Sequence, residues 1–273
     1  MKILIAADME GVSGVVAWDH VSTNHPEYAR FRRLMTQDVN AAIRGACEAG
    51  ATEIVVSDGH SHGRNLLIEE LDPRARLNSG TPSPLSMVQG VDDGVSAVIY
   101  IGYHARIGTP YAILEHTWSD ERVADFRING KQFGEIGLNA AVSGHFGVPV
   151  IMISGDQSAC AEAAALIESI ETVIVKIAKS RMAAECLPPG VAQEKIQSGA
   201  FQAVRRLKNG QAPKPLMISP PIRMEIDFVQ SEMADKAALL PGARRDARTI
   251  KYTAEDMPTI YAAFRTALAL ARG

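Results

Sequence analysis

Carboxylate and imidazole side chains gather at four places in this chain, each directly after a short apolar run. Asp8 and Glu10 follow Lys2–Ala7. Asp58, His60 and His62 follow Glu53–Ser57. His104 and Arg106 follow Ala97–Gly102, and Asp156 follows Val148–Ser154. Carboxylates and imidazoles are the donors that hold zinc, manganese or cobalt. Asp8 and Glu10 are two residues apart, so an extended segment points both side chains the same way. That spacing suits two ligands of one ion, or one bridging and one terminal ligand in a two-metal site. Each residue also has a plainer role. A single carboxylate can cap a helix, Asp58-Gly59 is a turn signal, and a lone histidine is commonly a hydrogen-bonded structural residue. The metal reading comes from their joint placement. Spacing alone leaves His60 and His62 as alternatives. His116 follows a strand-like Tyr111–Leu114 at no clear ligand spacing. Glu135 opens a predicted helix, where the helix dipole by itself favours a glutamate.

The elements that must carry these residues alternate. Strands are predicted over Lys2–Ala7, Glu53–Ser57, Ala97–Gly102 and Val148–Ser154. Helices are predicted over Gln37–Ala49, Gly134–His145 and Ser158–Glu168. Continuous apolar strands separated by helices indicate a mostly parallel sheet with helices on both faces. Sites in such sheets form beyond the carboxyl ends of the strands, where the four groups lie. The later chain reads differently. A helix is predicted over Ala192–Asn209, then a proline-rich connector Gln211–Pro221. Arg223–Val229 alternates at period two, Thr249–Tyr252 can pair with it, and a helix is predicted over Met257–Arg272. The fold expectation is therefore α/β: a catalytic domain over residues 1–187 with a smaller appended α+β region over 188–273.

Composition narrows the function. The chain has 273 residues, 28 Lys+Arg against 31 Asp+Glu, a net charge of -3, 47% hydrophobic residues and three cysteines. A slightly acidic balance gives no electrostatic footprint for nucleic acid. No stretch of about 18 uncharged apolar residues exists to span a membrane. The opening apolar run is too short for a secretory leader. Three scattered cysteines suit a reducing cytoplasm. There is no G-x-G-x-x-G after the first strand, no P-loop, no G-x-S-x-G and no H-E-x-x-H.

The segments Asp8-Met9-Glu10-Gly11-Val12-Ser13-Gly14, Ser57-Asp58-Gly59-His60-Ser61, Gly102-Tyr103-His104-Ala105 and Gly134-Glu135-Ile136-Gly137-Leu138-Asn139 occur in this order. Together they resemble the D-aminopeptidase DppA family, the M55 metallopeptidases. The resemblance is strongest up to about Asp156. It implies metal ligands at Asp8, Glu10, His60, His104 and Glu135, two zinc ions per subunit and a catalytic histidine at His116. It also implies cleavage of N-terminal residues, D-Ala among them, from short peptides, and assembly into a homodecamer. Other two-metal chemistry with the same donors is an L- or Gly-aminopeptidase, an amidase or a phosphoesterase. A ring-forming scaffold is the non-catalytic alternative.

Overall fold

The computed structural model describes residues 1–272, so Gly273 of the expected second region lies outside the described residues. Its larger sheet has seven strands. They are β1 (Lys2–Ala7), β2 (Glu53–Asp58), β3 (Ala75–Asn78), β4 (Ala97–Ile101), β7 (Val150–Asp156), β8 (Glu171–Ser180) and β9 (Ala183–Cys186), in the order β3-β2-β1-β4-β7-β8-β9. All neighbours pair in parallel except the β8–β9 hairpin. The α/β class and mostly parallel sheet are as the apolar runs required. The chain moves outward from β1 in one direction through β2 and β3, then in the other through β4 and β7. The order therefore reverses between β1 and β4, which opens a crevice at their carboxyl ends.

Both faces of this sheet are covered. Ile3 and Ile5 of β1 pack against α2 (Tyr28–Glu48) and α5 (Pro189–Lys208) through Val39, Ile43, Ile196 and Ala200. Leu4 and Ala6 face the other way, into a core shared with α3 (Glu135–His145), α4 (Gln157–Leu166) and α7 (Met257–Leu270). A second sheet of five strands completes that core. It contains β5 (Val123–Ile128), β6 (Lys131–Gln132), β10 (Ile222–Phe228), β11 (Arg244–Asp246) and β12 (Thr249–Ala254), in the order β11-β12-β10-β5-β6. The period-two reading of β10 holds: Ile222, Met224, Ile226 and Phe228 are buried while Arg223 is exposed. β10 pairs antiparallel with β12, as the alternation suggested, and also with β5.

Two expectations change. The sheets do not divide at residue 188. β5 and β6 come from the middle of the chain to the second sheet, and α5 returns to lie on α2 beside the first. Tyr111–Leu114 is a turn, not a strand; Tyr111 and Leu114 have φ of 51° and 49°. No helix among the described residues is long and apolar enough to cross a membrane.

Candidate metal centre

The crevice between β1 and β4 brings the first and third groups, Asp8 with Glu10 and His104, together. Asp8 N–H donates to Ile101 O and Gly11 N–H to Gly102 O, both at 2.8 Å. These bonds stitch the Asp8–Glu10 turn to the loop carrying His104. Gly11 is required by that closeness. A Cβ there would lie 1.9 Å from Tyr103 O, a backbone atom that cannot swing away. Gly11→Ala is expected to cost roughly 1–3 kcal/mol, read by urea unfolding, and to lower the zinc retained after dialysis. Unchanged stability with full zinc would count against a tightly held turn. Glu135 arrives from the second sheet, as the first residue of α3. Gly134 before it leaves room for Arg106, whose Cβ would be 2.5 Å from a Cβ at that position.

The donors converge closely. His60 Nδ1 lies 3.5 Å from Asp8 Oδ1 and 3.2 Å from Glu10 Oε2. His104 Nε2 lies 3.4 Å from Asp8 Oδ2 and 3.3 Å from Glu135 Oε1. His116 Nε2 is 3.7 Å from Glu135 Oε1, and its ring stacks on that of His104 with centroids 4.1 Å apart. His104, His116 and Glu135 offer donor atoms within 4.8 Å of one another, as do Asp8, Glu10 and His104. His104 therefore belongs to both groups. All are buried except the partly buried His60. Asp8, Glu10, His60, His116 and Glu135 line a cavity of about 890 Å³.

Hydrogen bonding fixes how each ring presents itself. His104 Nδ1 faces Ala105 O at 2.9 Å, His116 Nδ1 faces Leu114 O at 2.9 Å and His60 Nε2 faces Val21 O at 3.1 Å. A carbonyl only accepts, so each of these nitrogens carries its proton. The opposite nitrogen then turns a lone pair toward the carboxylates. Asp8 Oδ2, Glu10 Oε2 and His104 Nε2 are buried without any hydrogen-bond partner. Lone pairs facing one another at 3.2–3.5 Å need a proton or a cation between them. Burial and the neighbouring Glu10 push Asp8 up to about 7. Burial would lower His104, but Glu135 and Asp8 outweigh it and hold it well above the imidazole range. The same balance with Glu10 and Asp8 raises His60. Burial and the adjacent His104 lower His116. A set of three carboxylates and two or three imidazoles with these orphaned atoms fits divalent metal.

The other candidates have plainer roles. His62 is exposed and forms no ion pair with the carboxylates, whereas His60 forms two. Asp156 caps α4 and accepts from Ile113 N–H at 2.7 Å. Asp58 accepts from Asn65 and Leu66, and Asn65 Nδ2 donates to His60 O at 2.6 Å. It shapes the loop that carries His60. Asn139 bonds Tyr103 and Tyr261, and Thr117 accepts from Ile107 N–H; neither touches a donor of the centre.

The whole chain has close relatives. Residues 1–266 match the model of the M55 peptidase family, described as D-aminopeptidase. The chain belongs to the M55 D-aminopeptidase family. It is 39% identical over 267 residues to the D-aminopeptidase of Bacillus subtilis strain 168, covering 96% of this chain and 95% of that protein. Its fold matches the solved Zn-dependent D-aminopeptidase DppA from Bacillus subtilis, described as a self-compartmentalizing protease. The TM-score is 0.95 at 37% identity, over 99% of this chain and 98% of that one. As an M55 peptidase the chain is a metallo-aminopeptidase, a hydrolase of peptide bonds.

Sequence reasoning missed Lys176. This buried lysine donates to Glu10 O, Val12 O and Val15 O at 2.6, 2.8 and 2.7 Å. It grips the turn that carries Asp8 and Glu10 in this M55 chain. Burial pushes its ammonium down to about 8. A register shift between Gly155 and Asp156 pairs Asp156 with Lys176 and breaks the strict alternation of β8. Val175 and Lys176 are both buried as a result. The available signal was a lone lysine inside the apolar stretch Thr172–Ala178.

Proposed function

We propose that this chain is a binuclear zinc aminopeptidase that releases N-terminal D-amino acids such as D-Ala from short peptides. The observation that carries the reading is the convergence of Asp8, Glu10, His60, His104 and Glu135 with unpartnered donor atoms facing one another. These five side chains hold the two zinc ions. Zinc held there polarises the peptide carbonyl and lowers the pKa of water. The free α-amino group of a substrate would bind at this centre as a neutral amine, which accounts for exopeptidase action.

His116 handles the proton. Its Nδ1–H is committed to Leu114 O, so Nε2 is the exchanging atom. Burial and the adjacent His104 keep the ring neutral and able to accept a proton. It then gives that proton to the leaving amine. Its loop is held against its own backbone preference. Tyr111, Leu114 and Trp118 have φ of 51°, 49° and 66°, a conformation that costs each on the order of 1 kcal/mol. Asp156, Arg181 and Glu135 hold this loop by hydrogen bonds to Ile113, Leu114 and Trp118. The relative's self-compartmentalizing assembly supports a homodecamer here. The free cysteines Cys47, Cys160 and Cys186 support a cytoplasmic location.

The test compares alanine release from D-Ala-Gly-Gly and L-Ala-Gly-Gly by zinc-loaded protein, with metal analysis alongside. Two zincs per subunit and preference for the D-peptide are expected. Preference for the L-peptide removes the stereochemical assignment; absence of zinc removes the reading. His116→Ala should keep both zincs and lose about 10²–10⁴-fold in kcat. Loss of one zinc from that variant would instead make His116 a ligand.

A further inference from the structure

The cavity carries a second chemistry besides that of its metal donors. Arg122, Arg265 and Arg272 line it together with the metal donors. Among the described residues, none of the three has a carboxylate within the 4.0 Å of an ion pair. Asp120 and Glu121 also line the cavity but lie beyond that distance. Two of the arginines are fixed in place by neutral acceptors. Arg122 Nε donates to Ser119 Oγ at 3.0 Å and its Nη1 to Leu268 O at 3.4 Å. Arg265 Nη1 donates to Ser83 O and Pro84 O at 2.7 and 2.8 Å. Arg122 Nη2 and Arg265 Nε and Nη2 are left without a protein acceptor among the described residues. Burial and the like charge of Arg272 lower the Arg122 pKa. Cations lining one cavity with no carboxylate at ion-pair distance among the described residues suit an incoming anion.

The path of the chain keeps Arg122 within reach of a short peptide held at the metal donors. Trp118 N–H donates to Glu135 Oε1 at 2.7 Å. Directly after it the chain folds back, with Arg122 and Val123 N–H both donating to Ser119 O. One 3.8 Å step plus one helical turn bounds the Arg122 Cα to roughly 10 Å from Trp118. An extended tripeptide spans about 10 Å.

We propose that Arg122 and Arg265 form a subsite for the C-terminal carboxylate of a short substrate peptide, an assignment that rests on the aminopeptidase reading of the metal end. Guanidinium forks match carboxylates in geometry and charge. The enzyme then reads both ends of its substrate, and peptides with a free terminal carboxylate are preferred.

The experiment compares D-Ala-Gly-Gly with its C-terminal amide on zinc-loaded wild type, R122Q and R265Q. Alanine release and calorimetric binding are both measured. Wild type is expected to prefer the acid by about 10–100-fold in kcat/KM, mostly through KM. The acid-to-amide ratio should fall toward one in each variant. Equal handling of acid and amide by wild type, within twofold, overturns the subsite even where a variant fails to fold. A wild-type preference that survives in both folded variants overturns the assignment to these arginines. If neither peptide is cleaved, calorimetry still decides. Acid-selective binding that R122Q or R265Q loses keeps the subsite and removes the aminopeptidase reading. Absent or unselective binding removes the subsite.

Discussion

Replacing His104 with alanine should cost this protein its zinc and its peptidase activity together. His104 Nε2 faces Asp8 Oδ2 on one side and Glu135 Oε1 on the other. It is the one side chain common to both donor groups. Its removal deprives each group of a neutral donor and leaves Asp8 and Glu135 facing one another across the gap. Metal polarisation is worth several kcal/mol, so a loss on the order of 10³-fold in kcat/KM follows. Metal analysis after dialysis and alanine release from D-Ala-Gly-Gly measure the two effects. A variant that keeps two zincs and turns over within tenfold of wild type would show that His104 is structural. The contrast with His116→Ala, which is expected to keep its zinc, separates holding the metal from moving the proton.

Lys176→Met should weaken the centre without touching a donor side chain. The lysine supplies three hydrogen bonds to the Glu10–Val15 turn from within the core. Methionine fills similar space but leaves Glu10 O and Val15 O without a donor, while Val12 O keeps the N–H of Val15. Each buried orphan costs about 1–3 kcal/mol, so a total loss of roughly 2 kcal/mol or more is expected in the metal-free protein. The turn loosened in this way should bind zinc about 10–100-fold more weakly, as when groups supporting metal ligands are removed. Urea unfolding of the metal-free protein reads the first effect. Chelator competition reads the second. Lower stability at unchanged zinc affinity would confine Lys176 to the core; no change in either would mean that water replaces its three hydrogen bonds.

Much of the framework was legible because it is local. β1 is a lysine followed by five continuous apolar residues, and its predicted and observed limits coincide at Lys2–Ala7. α3 ends at His145 as its apolar spacing suggested, and starts one residue later, at Glu135. Helix α2 begins at Tyr28, nine residues before its predicted start, because Phe31 and Met35 extend the buried stripe through a segment dense in arginine. β5 and β6 escaped notice since short half-polar strands are defined by their partners. β5 is recognisable only beside β10.

The candidate site divides in the same way. Residue type and position after apolar strands were enough to nominate Asp8, Glu10, His104 and the His60/His62 pair, and the resemblance added Glu135 and His116. The sequence by itself determined the donor chemistry and the α/β class, because both follow from side-chain identity and short-range periodicity. Tertiary structure alone decided the reversal of strand order that joins β1 to β4, the entry of Lys176 into the core, and the gathering of Arg122 and Arg265 in one cavity, and it turns His60, the histidine the resemblance selected, rather than His62 toward the carboxylates. Each of these depends on pairing or packing between residues far apart in the chain, and no local pattern encodes such contacts.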